Sequence, residues 1–140
     1  MNKNVRRISI CELSDMLIKA QGQIVDIDGR PLSISCLMKD VGLTRRAYYG
    51  LWDLHKRTEK KTAIKIAVAF ELTESQLEML MSYCGYIYPH DRTDDIIQDF
   101  FIEGNYDFKE IDQKLEENGE LPLFSKLTAI RDEEMKKFIS

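Results

Sequence analysis

The 140-residue chain is predicted to be all-α, and three observations carry that prediction. Apolar residues recur at three- and four-residue spacing in almost every segment, the period of one helix face. Helix-starting residues (Ser, Thr, Asp) precede these segments and glycine follows them. Glycine and proline are otherwise scarce, with 7 and 3 copies, which leaves little material for a sandwich, a long linker or disorder. At 44% hydrophobic and 31% charged residues, the composition fits a globular protein with a core of ordinary size.

The elements follow in order. Ser9 with Glu12 forms a capping-box signature, and Ile10, Leu13, Met16 and Leu17 follow at helical spacing until Gly22. QIVDIDGRPL is a connector, with Asp28-Gly29 as a turn tip and room for a short extended pair on either side. Ser33 can cap a second helix running to about Asp40 and ending at Gly42. Thr44 can cap a third, from Arg45 to about Leu54. A polar stretch, HKRTEKK, leads into TAIKIAVAFEL, in which Ile64, Ala67, Val68 and Leu72 mark a buried face. Thr73 with Gln76 opens ESQLEMLMSYC, which Gly85 closes. After Pro89 the register restarts in DRTDDIIQDFFIEG, with Ile96, Ile97, Phe100 and Phe101 inward. Asp107 with Glu110 opens FKEIDQKLEEN, stopped by Gly119, and a last helix is expected over about 126–139. This makes seven or eight short helices without a sequence repeat.

Several function classes drop out. No apolar run approaches the ~18 residues that a membrane span needs, and Glu12 and Asp15 break the N-terminal apolar stretch at once, unlike a signal peptide. Cys11, Cys36 and Cys84 are odd in number and far apart in helical patterns, so three buried thiols in a reducing, cytoplasmic compartment are expected rather than disulfides or a metal site. His55 and His90 lack partners at ligand spacing. DIDG starts like a calcium loop but meets Pro31 and Leu37 where glycine and a carboxylate are required. No phosphate-binding glycine loop, nucleophile elbow or histidine-centred arrangement is present, so no enzyme, cofactor or metal is expected.

The net charge of −4 is unevenly distributed. Residues 30–65 carry nine Lys/Arg against three Asp/Glu, whereas residues 66–124 carry three against fourteen. A polyanion would dock at the basic end.

The stretch DVGLTRRAYYGLW, Asp40 to Trp52, sits in that basic region. Leu37, Val41, Leu43, Tyr48 and Leu51 fall where two short helices would touch, with Gly42 at the turn and Thr44 at the start of the second. Its outward face would carry Thr44, Arg45, Arg46, Tyr49 and Asp53, bordered by Trp52. This pattern resembles the Cro/repressor (lambda-repressor-like, XRE-family) class of bacterial and phage helix-turn-helix proteins. The resemblance continues through KTAIKIAVAFELTESQLEMLM, Lys61 to Met81, and covers roughly Ile10 to Gly85 with 23–32 as an insertion. The stretch from Ser82 to Phe124 resembles a helical extension found on some small bacterial proteins of this type, through Gly85-Tyr86, Asp95-Ile96-Ile97, Phe101-Ile102, Tyr106-Asp107 and Glu110-Ile111.

The resemblance implies a lambda-repressor-like bundle over 1–85, with its motif at about 33–54, followed by an acidic helical extension over 86–140. It implies a transcriptional regulator that binds double-stranded DNA as a homodimer, since one short recognition helix reads few bases. Arg45 and Arg46 would face phosphates or guanine edges, Thr44 and Tyr49 would contact the DNA with them, and Lys56, Arg57, Lys60 and Lys61 would hold the DNA backbone. Each also has a plainer reading: Arg45 and Arg46 as solvated surface arginines, the four cations of 56–61 as a solvated loop. The alternative function is a protein-interaction module, adaptor or inhibitor, that keeps the fold without DNA. The acidic balance favours it, as do Met38, where the class has alanine, and Gly50 inside the second motif helix, at roughly 1 kcal/mol of helix propensity. The run Asp91 to Asp95 and the cluster Glu116, Glu117 and Glu120 are most simply solvated helix faces, or else a docking surface for a basic partner or a second subunit.

Overall fold

The computed structural model describes residues 9–53 and 55–125. Among these the protein is all-helical, with no strand longer than a single β-bridge. The elements are α1 (Ile10–Gly22), α2 (Ile34–Asp40), α3 (Arg45–Tyr49) with a 3-10 turn directly after it (Gly50–Trp52), α4 (Lys60–Ala69), α5 (Glu74–Tyr83), α6 (Arg92–Glu103) and α7 (Phe108–Glu117). The expected helix over 126–139 lies outside the described residues. The chain divides into two compact units, one ending at Tyr88 and one beginning at Pro89.

Most helix starts follow the capping chemistry of the sequence. The hydroxyl of Ser9 accepts from the Glu12 N–H at 3.1 Å, that of Ser33 from Cys36 at 3.2 Å, and the Asp107 carboxylate from Lys109 and Glu110. Thr73 and Gln76 form a complete capping box, each side chain bonded to the other's backbone. Thr44 corrects the pattern: it occupies the start of α3 in extended conformation, but its side chain makes no capping bond.

In the first unit α2 packs on α3 and α4, α4 on α5, and α1 on α5. The core takes Leu13 and Leu17 from α1, Leu37 and Met38 from α2, Ile64 and Ala67 from α4, and Leu77, Leu80 and Met81 from α5. Met38 is fully buried, so the larger side chain at this close-packed position is accommodated inside the core. Between α1 and α2 the connector forms a small hairpin with one antiparallel bridge, Val25 to Pro31, around the Asp28-Gly29 tip.

The turn between α2 and α3 is set by Gly42. Its N–H donates to Lys39 O at 3.0 Å and the Leu43 N–H to Met38 O at 2.8 Å, which requires φ of +75° at the glycine. The same pair of bonds closes α4 without a glycine. Glu71 sits at φ +50° there, a left-handed conformation that costs a side-chain-bearing residue of order 1 kcal/mol.

The expected third helix is shorter than the periodicity suggested. It is α-helical for five residues, and from Gly50 the chain tightens into the 3-10 turn. Glycine at that position weakens α-helix continuation, and a 3-10 turn is a common way for a helix to end.

The cysteine expectation is corrected as well. Cys11 and Cys36 are exposed on α1 and α2, and only Cys84 is buried. Burial pushes the Cys84 thiol up to about 11, against an opposing pull from Arg57. Thiolate is the reactive form, so a disulfide reagent at neutral pH is expected to label Cys11 and Cys36 in the folded chain and leave Cys84, until the pH approaches about 11. Three thiols reacting at one rate would refute this.

In the second unit α6 and α7 pack together through Ile96, Ile97 and Phe101 on one helix and Ile111 and Leu115 on the other. Phe100 is half-buried rather than inward. Phe124, after α7, is buried beside Phe108 with ring centroids 5.4 Å apart.

Candidate nucleic-acid interface

The aromatic residues of the α3 region determine which of its faces is free. Tyr48 is buried and stacks on Phe70, centroids 5.6 Å apart and planes 19° from parallel. Tyr49 and Trp52 meet the Tyr48 ring edge-on at 5.2 and 5.9 Å, and Trp52 in turn meets Tyr83 at 6.2 Å. The Tyr83 hydroxyl donates to Leu51 O at 2.7 Å, which fixes the 3-10 turn to α5. Burial raises the pKa of Tyr48, with a smaller contribution from Tyr49, and burial likewise raises that of Tyr83.

With one side of α3 anchored in this way, Arg45, Arg46 and Tyr49 are exposed on the remainder, and Thr44 is exposed at its start. Positions 45 and 49 are one turn apart and 46 is about 100° round from 45. The three side chains therefore share one side of the helix. Tyr49 is 52% exposed while its ring edge rests on Tyr48, so it is both solvent-facing and positioned.

The cations of 56–61 divide into two groups. Lys60 and Lys61 open α4, Lys60 half-buried and Lys61 exposed. Lys56 and Arg57 line a cavity of about 430 Å³ with Leu51, Asp53, His55, Thr58, Tyr83 and Cys84. The Asp53 carboxylate accepts from the His55 N–H at 2.9 Å and places a negative charge at that cavity. Arg57 differs from the other cations. Its Nε donates to Cys84 O at 3.2 Å and its Nη2 to Gly85 O at 2.6 Å, and the guanidinium lies 4.1 Å from the Tyr86 ring centroid. Tyr86 completes the clasp by donating its hydroxyl to Thr58 O at 2.8 Å. A cation against the last carbonyls of a helix, and over an aromatic face, is favourable on both counts.

Arg57 therefore ties the 53–58 loop to the end of α5. From sequence Arg57 is expected either at the DNA backbone or in a solvated loop, and neither its bonds to Cys84 O and Gly85 O nor the contacts made by Tyr83 and Tyr86 are anticipated. A partial signal was present in the glycine stop at Gly85, whose open carbonyls attract a cation.

Among the described residues no group of His, Cys, Asp and Glu could hold a metal ion, and no helix is long and apolar enough to cross a membrane. Compared with protein-family models, with curated proteins and with solved structures, the chain has no match.

Proposed function

We propose that the chain is a sequence-specific DNA-binding transcriptional regulator of bacterial or phage type, in which α2 and α3 form a lambda-repressor-like helix-turn-helix. The observation that carries this reading is the division of α3 into two sides. Tyr48 roots one side on Phe70, and the other presents Arg45, Arg46 and Tyr49 to solvent. A groove-reading helix needs a rigid back and a free face of donors for phosphates and base edges. Lys61 and Lys56 add exposed positive charge in the same basic stretch. On this reading the active form is a two-fold dimer in the cytoplasm, and the acidic second unit serves self-association or a protein partner.

A protein-interaction module is the second reading, and two observations favour it. Five α-helical residues span only about 7.5 Å, a short element to reach along a groove. Asp53 also stands at the cavity lined by Lys56 and Arg57, and Arg57 is already bonded to carbonyl oxygens.

Fluorescence anisotropy with a pool of random duplex DNA separates the two. The regulator binds at low salt and loses affinity steeply as salt rises, with a slope set by the phosphates neutralised. An operator selected from that pool then tests Arg46→Ala. A loss of ~1–3 kcal/mol confined to the selected site marks a base contact, and equal loss on all sequences marks a phosphate contact. No binding at low salt removes the regulator reading and leaves the interaction module.

A further inference from the structure

The hairpin between α1 and α2 has two chemically unequal edges. Leu32 donates its N–H to Ile24 O at 3.0 Å and Asp26 donates its N–H to Arg30 O at 2.8 Å, so Val25 and Pro31 face each other without exchanging bonds. In an antiparallel ladder such a pair turns its own backbone groups outward, toward the next strand. On one edge that residue is Val25, with both a donor and an acceptor. On the other it is Pro31, which has no N–H and blocks further pairing. Only the Val25 edge of the two can extend the ladder.

That edge is held ready. The Asp26 carboxylate accepts from the N–H groups of Asp28 at 2.8 Å and Arg30 at 3.0 Å, and Gly29 closes the tip with a bond to Asp26 O at 3.0 Å. Gln21 fastens the base, its Nε2 donating to Leu32 O at 2.8 Å. A segment ordered by its own bonds loses little further freedom when a partner arrives. Val25 is half exposed and Ile27, two positions on, is 100% exposed, so apolar side chains accompany the open backbone.

We propose that the Val25 edge is where two copies of this chain join, antiparallel about a two-fold axis. One residue carrying both an outward donor and an outward acceptor is self-complementary under that symmetry: Val25 pairs with Val25 of the second copy and exchanges two bonds. In this register Asp26 falls opposite Ile24 of the second copy rather than opposite another Asp26. The Asp26 carboxylate is also folded back into its own turn, so no like charges meet across the axis. The proposal rests on the two-fold reading above in taking a second copy as the occupant, and it does not depend on DNA being bound.

The test is sedimentation of the full chain without DNA from micromolar to near-millimolar concentration, together with residue-level amide exchange. The expected result is a monomer–dimer equilibrium in which the Val25 N–H slows at least about tenfold on dimerisation, while the Asp26 N–H, bonded within the hairpin, changes little. Val25→Pro removes the outward donor and no bond of the hairpin itself, and it is expected to weaken the dimer by about tenfold or more with unchanged circular dichroism. A chain that stays monomeric, or a dimer whose Val25 amide exchanges freely, overturns the proposal. A monomer that still binds DNA in the anisotropy assay would overturn this inference alone.

Discussion

Tyr48→Ala is expected to destabilise the first unit by about 3–5 kcal/mol, the range for truncating a large core side chain. Tyr48 is 6% exposed and makes three ring contacts: a stack on Phe70 and edge contacts with Tyr49 and Trp52. Removing the ring leaves a cavity under α3 and takes away the support on which Tyr49 is positioned. Against a usual total of roughly 5–15 kcal/mol, such a loss brings the unit close to unfolding. Tyr48→Phe keeps the ring and its stack, and is expected to cost under about 1.5 kcal/mol, as volume-conserving core changes usually do. The measurement is urea unfolding followed by fluorescence of Trp52, the only tryptophan in the chain. If Tyr48→Ala costs no more than an exposed substitution, about 0.5 kcal/mol or less, α3 is not anchored as described. The same pair of variants bears on function. Where DNA is bound, Tyr48→Phe retains binding and Tyr48→Ala loses it even under conditions in which it remains folded, because the face presenting Arg45, Arg46 and Tyr49 has lost its back.

The helices were legible in the sequence because their causes are local. Ser9, Ser33, Thr73 and Asp107 each bond backbone groups within three residues, and periodicity marked Ile64, Ala67 and Val68 as inward. The composition of the turn likewise indicated the Asp28-Gly29 tip, and the bridge it closes spans only Val25 to Pro31. Thr44 shows the limit of such signals. A residue of the right type at the right position left its hydroxyl out of the cap, because the cap supplies one bond among several that hold the α2–α3 turn.

What the sequence did not disclose depends on distant partners. Arg57 reads as one more cation in HKRTEKK, and only the approach of α5 turns it toward Cys84 O and Gly85 O, 27 and 28 positions away. Tyr83 is similarly spaced from Leu51, at 32 positions. The exposure of Cys11 and Cys36 has another cause. Both lie beside apolar positions in amphipathic helices, where a rotation of 100° per residue separates inside from outside. Of the candidate interface, the free face of α3 could be drawn from spacing. The division of labour between Arg57 and its neighbouring lysines could not.

Asp112→Ala is expected to have the largest effect in the second unit, and the sequence pattern gives little hint of it. Asp112 belongs to an acidic helix whose other carboxylates, Glu110, Glu116 and Glu117, are exposed, yet it is only 6% exposed itself. Its Oδ1 accepts from the N–H groups of Leu123 at 2.8 Å and Phe124 at 3.0 Å, and its Oδ2 from Phe124 at 2.9 Å. The carboxylate thereby folds the segment after Gly119 back onto α7 and seats Phe124, 1% exposed, against Phe108. Alanine would leave two buried N–H groups without this acceptor, at about 1–3 kcal/mol each, and loosen Phe124 as well. A destabilisation of about 3 kcal/mol or more is therefore expected. Asp112→Asn, which keeps a single acceptor oxygen in nearly the same shape, should fall between alanine and the native residue. Amide exchange in the full chain measures both effects. Loss of protection at Leu123 and Phe124 alone would mean that Asp112 holds only the tail, whereas loss through α6 and α7 would make it a foundation of the whole unit. Unchanged exchange at Leu123 in the alanine variant would refute the account, since that N–H donates to Asp112 Oδ1 in the native chain and loses this acceptor.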